Sequence, residues 1–380
     1  MKFIHTADWQ IGKSFRQFGD REAVLARARL EAIESIGKLA MEEGAAHVLV
    51  AGDIYDSEVP SRQTLLAPLE RMRLFPAVHW HLIPGNHDPH RPQGVWDRAR
   101  AESLPANVHL HLGPEPFELG EHAVLLPAPL TRKSEGGDLT EWMDRAATPV
   151  GRARIGLAHG AVAGFGSGGD AVNPIDPGRP QRAGLAYLAL GDWHRTMQIA
   201  RDVWYAGTPE PDRAGSQEVG QALVVELAGP DGPVTVTPRR VGTFRWLSLT
   251  EHLADEAAVA DLEAKLRALP DLSSLVLRLQ LEGHLPLAAR ADLERRLQGL
   301  AAILFDLAAD YSKLMLRPTV EDLDSIELGG VLREAADRLM AMAAAEGISD
   351  EDRRVAGDAL IELFALTRDD VTDAAVAEVA

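Results

Sequence analysis

The sequence predicts an α/β protein, a layered α/β sandwich followed by a smaller second region. Three observations predict it. Short apolar runs of strand length alternate with helical patterns, as in chains that build parallel sheets. Five of the apolar runs end in polar clusters, the arrangement that places sites at the carboxyl edge of an open sheet. Charge also changes along the chain. Residues 246–380 hold 27 acidic and 13 basic residues, a net of −14, whereas residues 1–245 carry a net of only −4.

Element by element, KFIHT (2–6) reads as a strand, and residues 22–43 carry a helical stripe through Leu25, Ala28, Leu30, Ile33, Ile36 and Leu39. HVLVAGD (47–53) is a buried parallel strand running into Gly-Asp, and a helix follows at about 61–73. VHWHLIPGNHD (78–88) repeats that design. NVHLHL (107–112), HAVLLPA (122–128), RIGLAHG (154–160) and LAYLALGDWH (185–194) are further strands. Residues 164–182, rich in Gly and Pro, read as a long irregular loop that shapes access to a site. QALVVEL (221–227) and VTVTPRRV (234–241) form a hairpin that closes a first domain, 1–245. A small α/β region, 246–325, then contains helices at 254–268 and 286–299, the latter with Pro at its start, and strands at 274–283 and 311–318. The acidic remainder, 326–380, is Ala-rich and helical. Ser349 with Asp352 caps a helix there, and Leu332, Leu339, Met340 and Met342 either pack back or form a partner face.

Composition narrows the chemistry. The chain has 380 residues, 46 % of them hydrophobic, so it can build a sizeable core. With 57 acidic against 39 basic residues, its charge of −18 gives no general attraction to nucleic acid. Any such binding needs local cations, metal ions or a partner. The absence of cysteine removes disulfides, thiolate ligands and Cys nucleophiles. MKFIHTADWQIG has no apolar leader and no charge-free apolar run reaches 18 residues, so a cytoplasmic protein without a membrane span is expected.

The polar clusters are Asp8-x-Gln10, Gly52-Asp53-x-x-Asp56, Gly85-Asn86-His87-Asp88, His159-Gly160 and Gly191-Asp192-x-His194. Alone, an Asp-x-Gln or a Gly-Asp is no more than a turn. In order, at successive strand ends, they suit hard or borderline divalent ions. Asp53 would bridge two ions. Asp8 and His194 would hold one, with Gln10 near it. Asn86 and His159 would hold the other, with Asp192 as a third ligand. His87 would act on a leaving oxygen, oriented by Asp88. His5, His47, His79, His81, His109 and His111, inside strand-like runs, read as structural or surface residues.

These clusters closely resemble the calcineurin-like metallophosphoesterases, and among them the DNA-repair nucleases of the Mre11 and SbcD type. FIHTADWQIGKSF (3–15), VLVAGDIYDSEVPS (48–61), IPGNHD (83–88), LAHG (157–160), LGDWH (190–194) and YAGTPEP (205–211) match that group's motifs in order. The resemblance implies a four-layer α/β/β/α sandwich core, a small capping domain and a helical C-terminal region. It implies a two-ion centre, with Mn²⁺ favoured and Fe²⁺, Mg²⁺ or Zn²⁺ as other choices. It implies an exonuclease with endonuclease capacity, acting in DNA repair. It also implies a homodimer and an SMC-like ATPase partner of the Rad50 or SbcC type; this chain has no phosphate-binding Gly-x-x-x-x-Gly-Lys-Ser/Thr loop of its own. Two residues depart from the family pattern: Gln10 and Asp192 stand where it has histidines. A small-substrate phosphoesterase and a non-catalytic scaffold are the rival readings. For DNA contact the sequence offers Lys13, Arg16, Arg195 and Trp193 beside the motifs, with Arg21, Arg27, Arg29, Arg91, Arg98, Arg132, Lys133, Arg179 and Arg182 further out, and Trp9 as a site wall.

Overall fold

In the computed structural model the described residues are 1–102, 104–165, 172–215, 219–316, 331–345, 347–349 and 351–363. The chain divides into two units, Met1–Trp246 and Leu247–Ala380.

The first unit begins with strand β1 (Lys2–Thr6), helix α1 (Glu22–Glu42), β2 (His47–Val50), α2 (Arg62–Arg73), β3 (His79–Leu82), α3 (Val95–Ala101) and β4 (Val108–Leu110). It continues through β5 (Phe117–Leu119), β6 (Ala123–Ala128), β7 (Ala153–His159), β8 (Ala161–Val162), β9 (Pro174–Ile175) and α4 (Arg179–Ala183). β10 (Tyr187–Gly191), β11 (Met197–Ala200), β12 (Val203–Tyr205), β13 (Val219–Leu227) and β14 (Val234–Leu253) follow, β14 running across the unit boundary.

Two sheets result. One has the order β14-β13-β1-β2-β3-β4, with β1 to β4 parallel. The other has the order β11-β12-β10-β7-β6-β5, with its four central strands parallel. Side-chain alternation divides the core. Ile4, Val48, Val50, Trp80 and Leu82 bury against the apolar stripes of α1 and α2, which include Ile33, Ile36, Leu65 and Leu69. The opposite faces of the same strands offer Phe3 and Leu49 to Leu125, Ile155, Leu157 and Tyr187 of the other sheet. Both parallel sets therefore have two covered faces, which explains their nearly unbroken apolar runs. Ser61 caps α2, its hydroxyl accepting from the Thr64 amide at 3.1 Å.

The second unit contains α5 (Glu256–Arg267), β15 (Leu275–Leu285), α6 (Leu287–Ala301), β16 (Asp306–Leu316) and α7 (Val331–Ala344). Parallel β15 and β16 share a core with the two preceding helices, through Leu262, Leu266, Leu277, Leu279, Leu293 and Leu297. Leu339 and Met340 of the tail pack on Leu287, Leu360 and Ile361, while Leu332 and Met342 stay exposed. The Asp352 amide donates to Ser349 at 3.1 Å, the cap read from the sequence.

Some expectations change. Part of the supposed loop 164–182 is regular: β9 pairs with β8, and Arg179–Ala183 is helical; residues 166–171 lie outside the described set. The hairpin's second strand extends twelve residues beyond Val241, to Leu253. β5, β11, β12 and α3, at three to seven residues, are too short to carry a readable period.

Of the six strand histidines, His5, His81 and His111 are buried and His47, His79 and His109 are half-buried. His5 bonds Tyr187 Oη at 3.0 Å, and the other five contact one another at the outer edge of the β2-β3-β4 set. Burial, helped by neighbouring rings, pulls His47 and His111 down to about 4, and burial pulls His5 to about 3. Their neutral forms are favoured in the folded state, so this stability is full above the ordinary value near 6.5 and is lost as pH falls toward 4. The urea midpoint should therefore drop between pH 7 and pH 4.5, and less steeply in a His47→Gln, His111→Gln chain. Equal pH slopes in the two chains would overturn that account.

Candidate metal centre

Parallel neighbours send their carboxyl ends to the same rim. β1 leads into Asp8 and Gln10, β2 into Asp53 and β3 into Asn86; β7 ends at His159, and β10 leads into Asp192 and His194. Beyond the strands the backbone stays paired, with the Asp8 amide on Gly52 O at 3.1 Å and the Gln10 amide on Asp53 O at 2.9 Å. Asp8, Gln10, Asp53 and Asp192 all have positive φ, at 55°, 44°, 54° and 104°. Only seven described non-glycine residues do, so backbone strain concentrates at this rim. Two glycines make room for it. A Cβ on Gly52 would collide with the His159 ring, and one on Gly85 with the Asp53 carboxylate and amide.

Asp8 and Asp53 are almost fully buried, at 0 % and 1 % exposure. With His159 they form the only trio of histidine and acidic residues, among the described residues, whose ligand atoms lie within 4.8 Å of one another. His159 Nδ1 donates to Ala51 O at 2.8 Å, which directs Nε2 into the cluster. There Nε2 lies 2.7 Å from Asn86 Oδ1, 3.6 Å from Asp53 Oδ1 and 3.8 Å from Asp192 Oδ1. The Asp192 amide donates to both oxygens of Asp8. Sequence placed Asn86 and His159 together, with Asp192 beside them, and the geometry gathers all three.

The electrostatics suit a cation. Burial, reinforced by Asp53 and Asp192, pushes Asp8 up to about 6 despite His194 and His159. Burial likewise raises Asp192. Burial opposes charge on His159, yet Asp53, Asp8 and Asp192 outweigh it and hold the ring at about 9. The carboxylates thus draw a proton onto a nitrogen whose lone pair would otherwise face them. Two buried carboxylates, a carboxamide oxygen and imidazole nitrogens form an oxygen-rich donor set that fits a hard or borderline divalent ion.

The His194 side is built differently. His194 Nδ1 donates to Asp212 Oδ2 at 3.0 Å, leaving Nε2 toward the site. Gln10 presents its amide nitrogen to that Nε2 at 3.1 Å, because its Oε1 accepts from Lys13 Nζ at 2.8 Å. Lys13 also pairs with Asp212 at 2.7 Å. Burial pushes Asp212 up, but His194 and Lys13 prevail and hold it well below the carboxylate range. Gln10 therefore offers no oxygen to an ion in this arrangement.

Asp88 does not orient His87. Its buried carboxylate accepts from the amides of Gly85 and Tyr55 at 2.7 and 3.0 Å and clamps the turn that carries Asn86. His87 stands on the rim with 40 % of its side chain exposed; its amide donates to Asp53 Oδ1 at 2.9 Å, and Nδ1 donates to Asp56 O at 3.1 Å. Asp56 and Asp212 are site residues to which the sequence assigned no role: Asp56 stands in Gly52-Asp53-x-x-Asp56, and Asp212 directly follows the YAGTPEP motif at 205–211.

The basic residues divide. Arg16 and Arg195 are exposed. Lys13 is committed to Gln10 and Asp212 rather than free for phosphate. Arg29 is buried and donates to Trp9 O at 2.8 Å, Arg179 is buried against Asp138 and Asp144, and Arg91 and Lys133 pair with Glu58. Trp9 is buried in the core, edge-on to Trp80. Trp193 packs toward Tyr205 at 6.2 Å and is half-buried.

The family model for calcineurin-like phosphoesterases matches residues 1–194, half of the chain. The chain belongs to the calcineurin-like phosphoesterase family. Its members hydrolyse phosphoesters with divalent metal ions, and Asp8, Asp53 and His159 are a trio that could hold such an ion. A curated relative, the SbcD component of the nuclease SbcCD from Rhodobacter capsulatus, is 29 % identical over 301 residues, covering 64 % of this chain and 71 % of the relative. A solved structure from Thermus thermophilus is 13 % identical, covers 63 % of this chain and 98 % of its own, and has a TM-score of 0.41. No described helix is long and apolar enough to cross a membrane.

Two expectations follow from the Gln10 side. Asp212→Asn should weaken Mn²⁺ binding by about 10- to 100-fold in calorimetry, since the carboxylate that orients His194 is lost. Lys13→Met should strengthen Mn²⁺ binding by about tenfold, roughly 1.4 kcal/mol, by removing a competing ammonium and freeing Gln10 Oε1. An unchanged affinity for Lys13→Met would mean that the ammonium does not compete.

Proposed function

We propose that the chain is a divalent-metal-dependent DNA nuclease of the Mre11 and SbcD type, hydrolysing phosphodiesters in DNA repair, with Mn²⁺ as the ion. The observation that carries this reading is the gathering of Asp8, Asp53, Asn86, His159, Asp192 and His194 beside the exposed His87 ring. The order of the motifs and the similarity to a component of a nuclease support the substrate class. The core is then a four-layer α/β/β/α sandwich, with 246–325 as a capping domain and 326–380 as a helical region. Partners in this reading are DNA, an SbcC-type ATPase and a second copy of the chain.

Asp8, Asp53 and His194 would hold one ion, and Asp53, Asn86, His159 and Asp192 the other. Bound ions supply Lewis acidity at the phosphoryl oxygens and lower the pKa of water. The chain's own groups do the rest. Asp53 Oδ1 accepts the His87 amide, fixing that turn against the centre. Asp56 O accepts a hydrogen bond from His87 Nδ1–H, so Nε2 is the nitrogen that meets the leaving oxygen and, carrying the second proton of the imidazolium, protonates it. Arg16 and Arg195 contact backbone phosphates at the rim. The Gln10–Lys13 bond favours a second reading, a weakly loaded subunit with a scaffold role.

The test uses Mn²⁺-loaded protein on labelled single-stranded and duplex DNA beside a small phosphodiester. His87→Ala should lower DNA cleavage by about 10²- to 10⁴-fold with metal content unchanged. Asp53→Ala should lose both metal and activity. Activity confined to the small ester would sink the DNA reading, and failure to retain Mn²⁺ would select the scaffold.

A further inference from the structure

The five histidines at the outer edge of the first sheet form a second concentration of ligand groups, remote in chemistry from the carboxylate rim. Cross-strand register assembles them. His47 faces His79 across β2 and β3, and His81 faces His109 across β3 and β4; the two-residue spacing puts His79 and His81, and likewise His109 and His111, on one side of the sheet. β4 is the edge strand, so the group lies where the sheet opens to solvent. His47 and His79 begin the strands whose opposite ends lead to Asp53 and Asn86.

The nitrogens meet in pairs. His79 Nδ1 lies 3.2 Å from His109 Nε2, His47 Nδ1 lies 3.0 Å from His81 Nε2, and His81 Nδ1 lies 3.1 Å from His111 Nε2. The His81 and His109 rings stack at 4.8 Å, and Phe117 closes the inner side. Each contact holds one shared proton between two neutral rings. A tetrahedral ion with bonds of 2.0–2.1 Å would separate its nitrogens by about 3.3 Å, close to these spacings. Burial keeps His47, His81, His109 and His111 neutral, leaving lone pairs for a metal. His79 and His109 are half-buried, and water can reach them.

We propose that His79 and His109, backed by His47 and His81, bind one borderline divalent transition ion of the Zn²⁺, Ni²⁺ or Cu²⁺ class. The pair supplies two nitrogens. Water, or the His47 ring turned inward from its 5.6 Å separation to His79, completes the shell. Entry requires that the shared proton move to the far nitrogen of one ring and that the two rings tilt until both lone pairs meet at one point; no net proton is lost. An all-imidazole set disfavours Mg²⁺ and Mn²⁺, the ions suited to the carboxylate rim. The proposal is independent of the nuclease reading.

Zn²⁺ is titrated by calorimetry into the full chain carrying Asp53→Asn and His159→Gln, which cripples the phosphoesterase centre. One ion per chain should bind, and adding His79→Gln with His109→Gln should weaken it by about tenfold or more. Circular dichroism and the urea midpoint at pH 7 check that the added substitutions leave the fold intact. Crystals of the otherwise unaltered chain grown with Zn²⁺ give a readout that needs no variant: anomalous scattering should place an ion between His79 and His109. No Zn²⁺ uptake by the crippled chain, equal affinity with and without the two added substitutions, or anomalous density confined to the Asp53 rim would each overturn the proposal.

Discussion

The structure depends on forcing like charges together at the end of two parallel strand sets. Asp8, Asp53 and Asp192 are drawn into one partly desolvated cluster, and burial makes their repulsion expensive. The cluster is tolerated because neighbours are organised around it. His159 is held charged among the carboxylates, the Asp192 amide spans both oxygens of Asp8, and Asp88 ties the next turn through two amides. Four strained backbone positions and two glycines under steric pressure belong to the same construction. A divalent cation relieves the repulsion, so ion binding and local stability are coupled.

The centre is not symmetric. On the His159 side, Asn86 Oδ1 and imidazole Nε2 converge with the acids. On the His194 side, Lys13, Gln10 and Asp212 close a hydrogen-bonded ring in which the amide shows its nitrogen to the imidazole. An ion there must turn Gln10 over and compete with an ammonium, whereas on the other side it displaces only a proton. The replacement of an imidazole by Gln10 thus acts through Lys13 as much as through the lost ligand.

The sheet that positions this centre also sorts donor types along its strands. Oxygen donors follow the ends of β1, β2 and β3, whereas imidazoles open β2 and β3 at His47 and His79 and recur at His81 within β3 and at His109 and His111 in and just past β4. Hard ions and nitrogen-preferring ions are thereby offered different parts of one scaffold. The overall charge of −18 plays little part in either site, since both depend on local desolvation.

Much of the centre was legible in the residues. Apolar runs ending in Gly-Asp, Gly-Asn-His-Asp and Gly-Asp-x-His announced parallel strands with polar ends, because period and turn chemistry are local properties. Asp8, Asp53, Asn86 and His159 could be named from that pattern before any geometry. What only the tertiary structure decided was orientation and partnership. Whether Gln10 turns its oxygen or its nitrogen inward depends on Lys13 and on Asp212, which lies 199 residues beyond that lysine. Asp56 rather than Asp88 bonds His87, because the turn aims the Asp88 carboxylate into the backbone and leaves the Asp56 carbonyl beside the ring. The five histidines looked like separate strand residues. Their meeting is a consequence of register between β2, β3 and β4, which no single strand encodes.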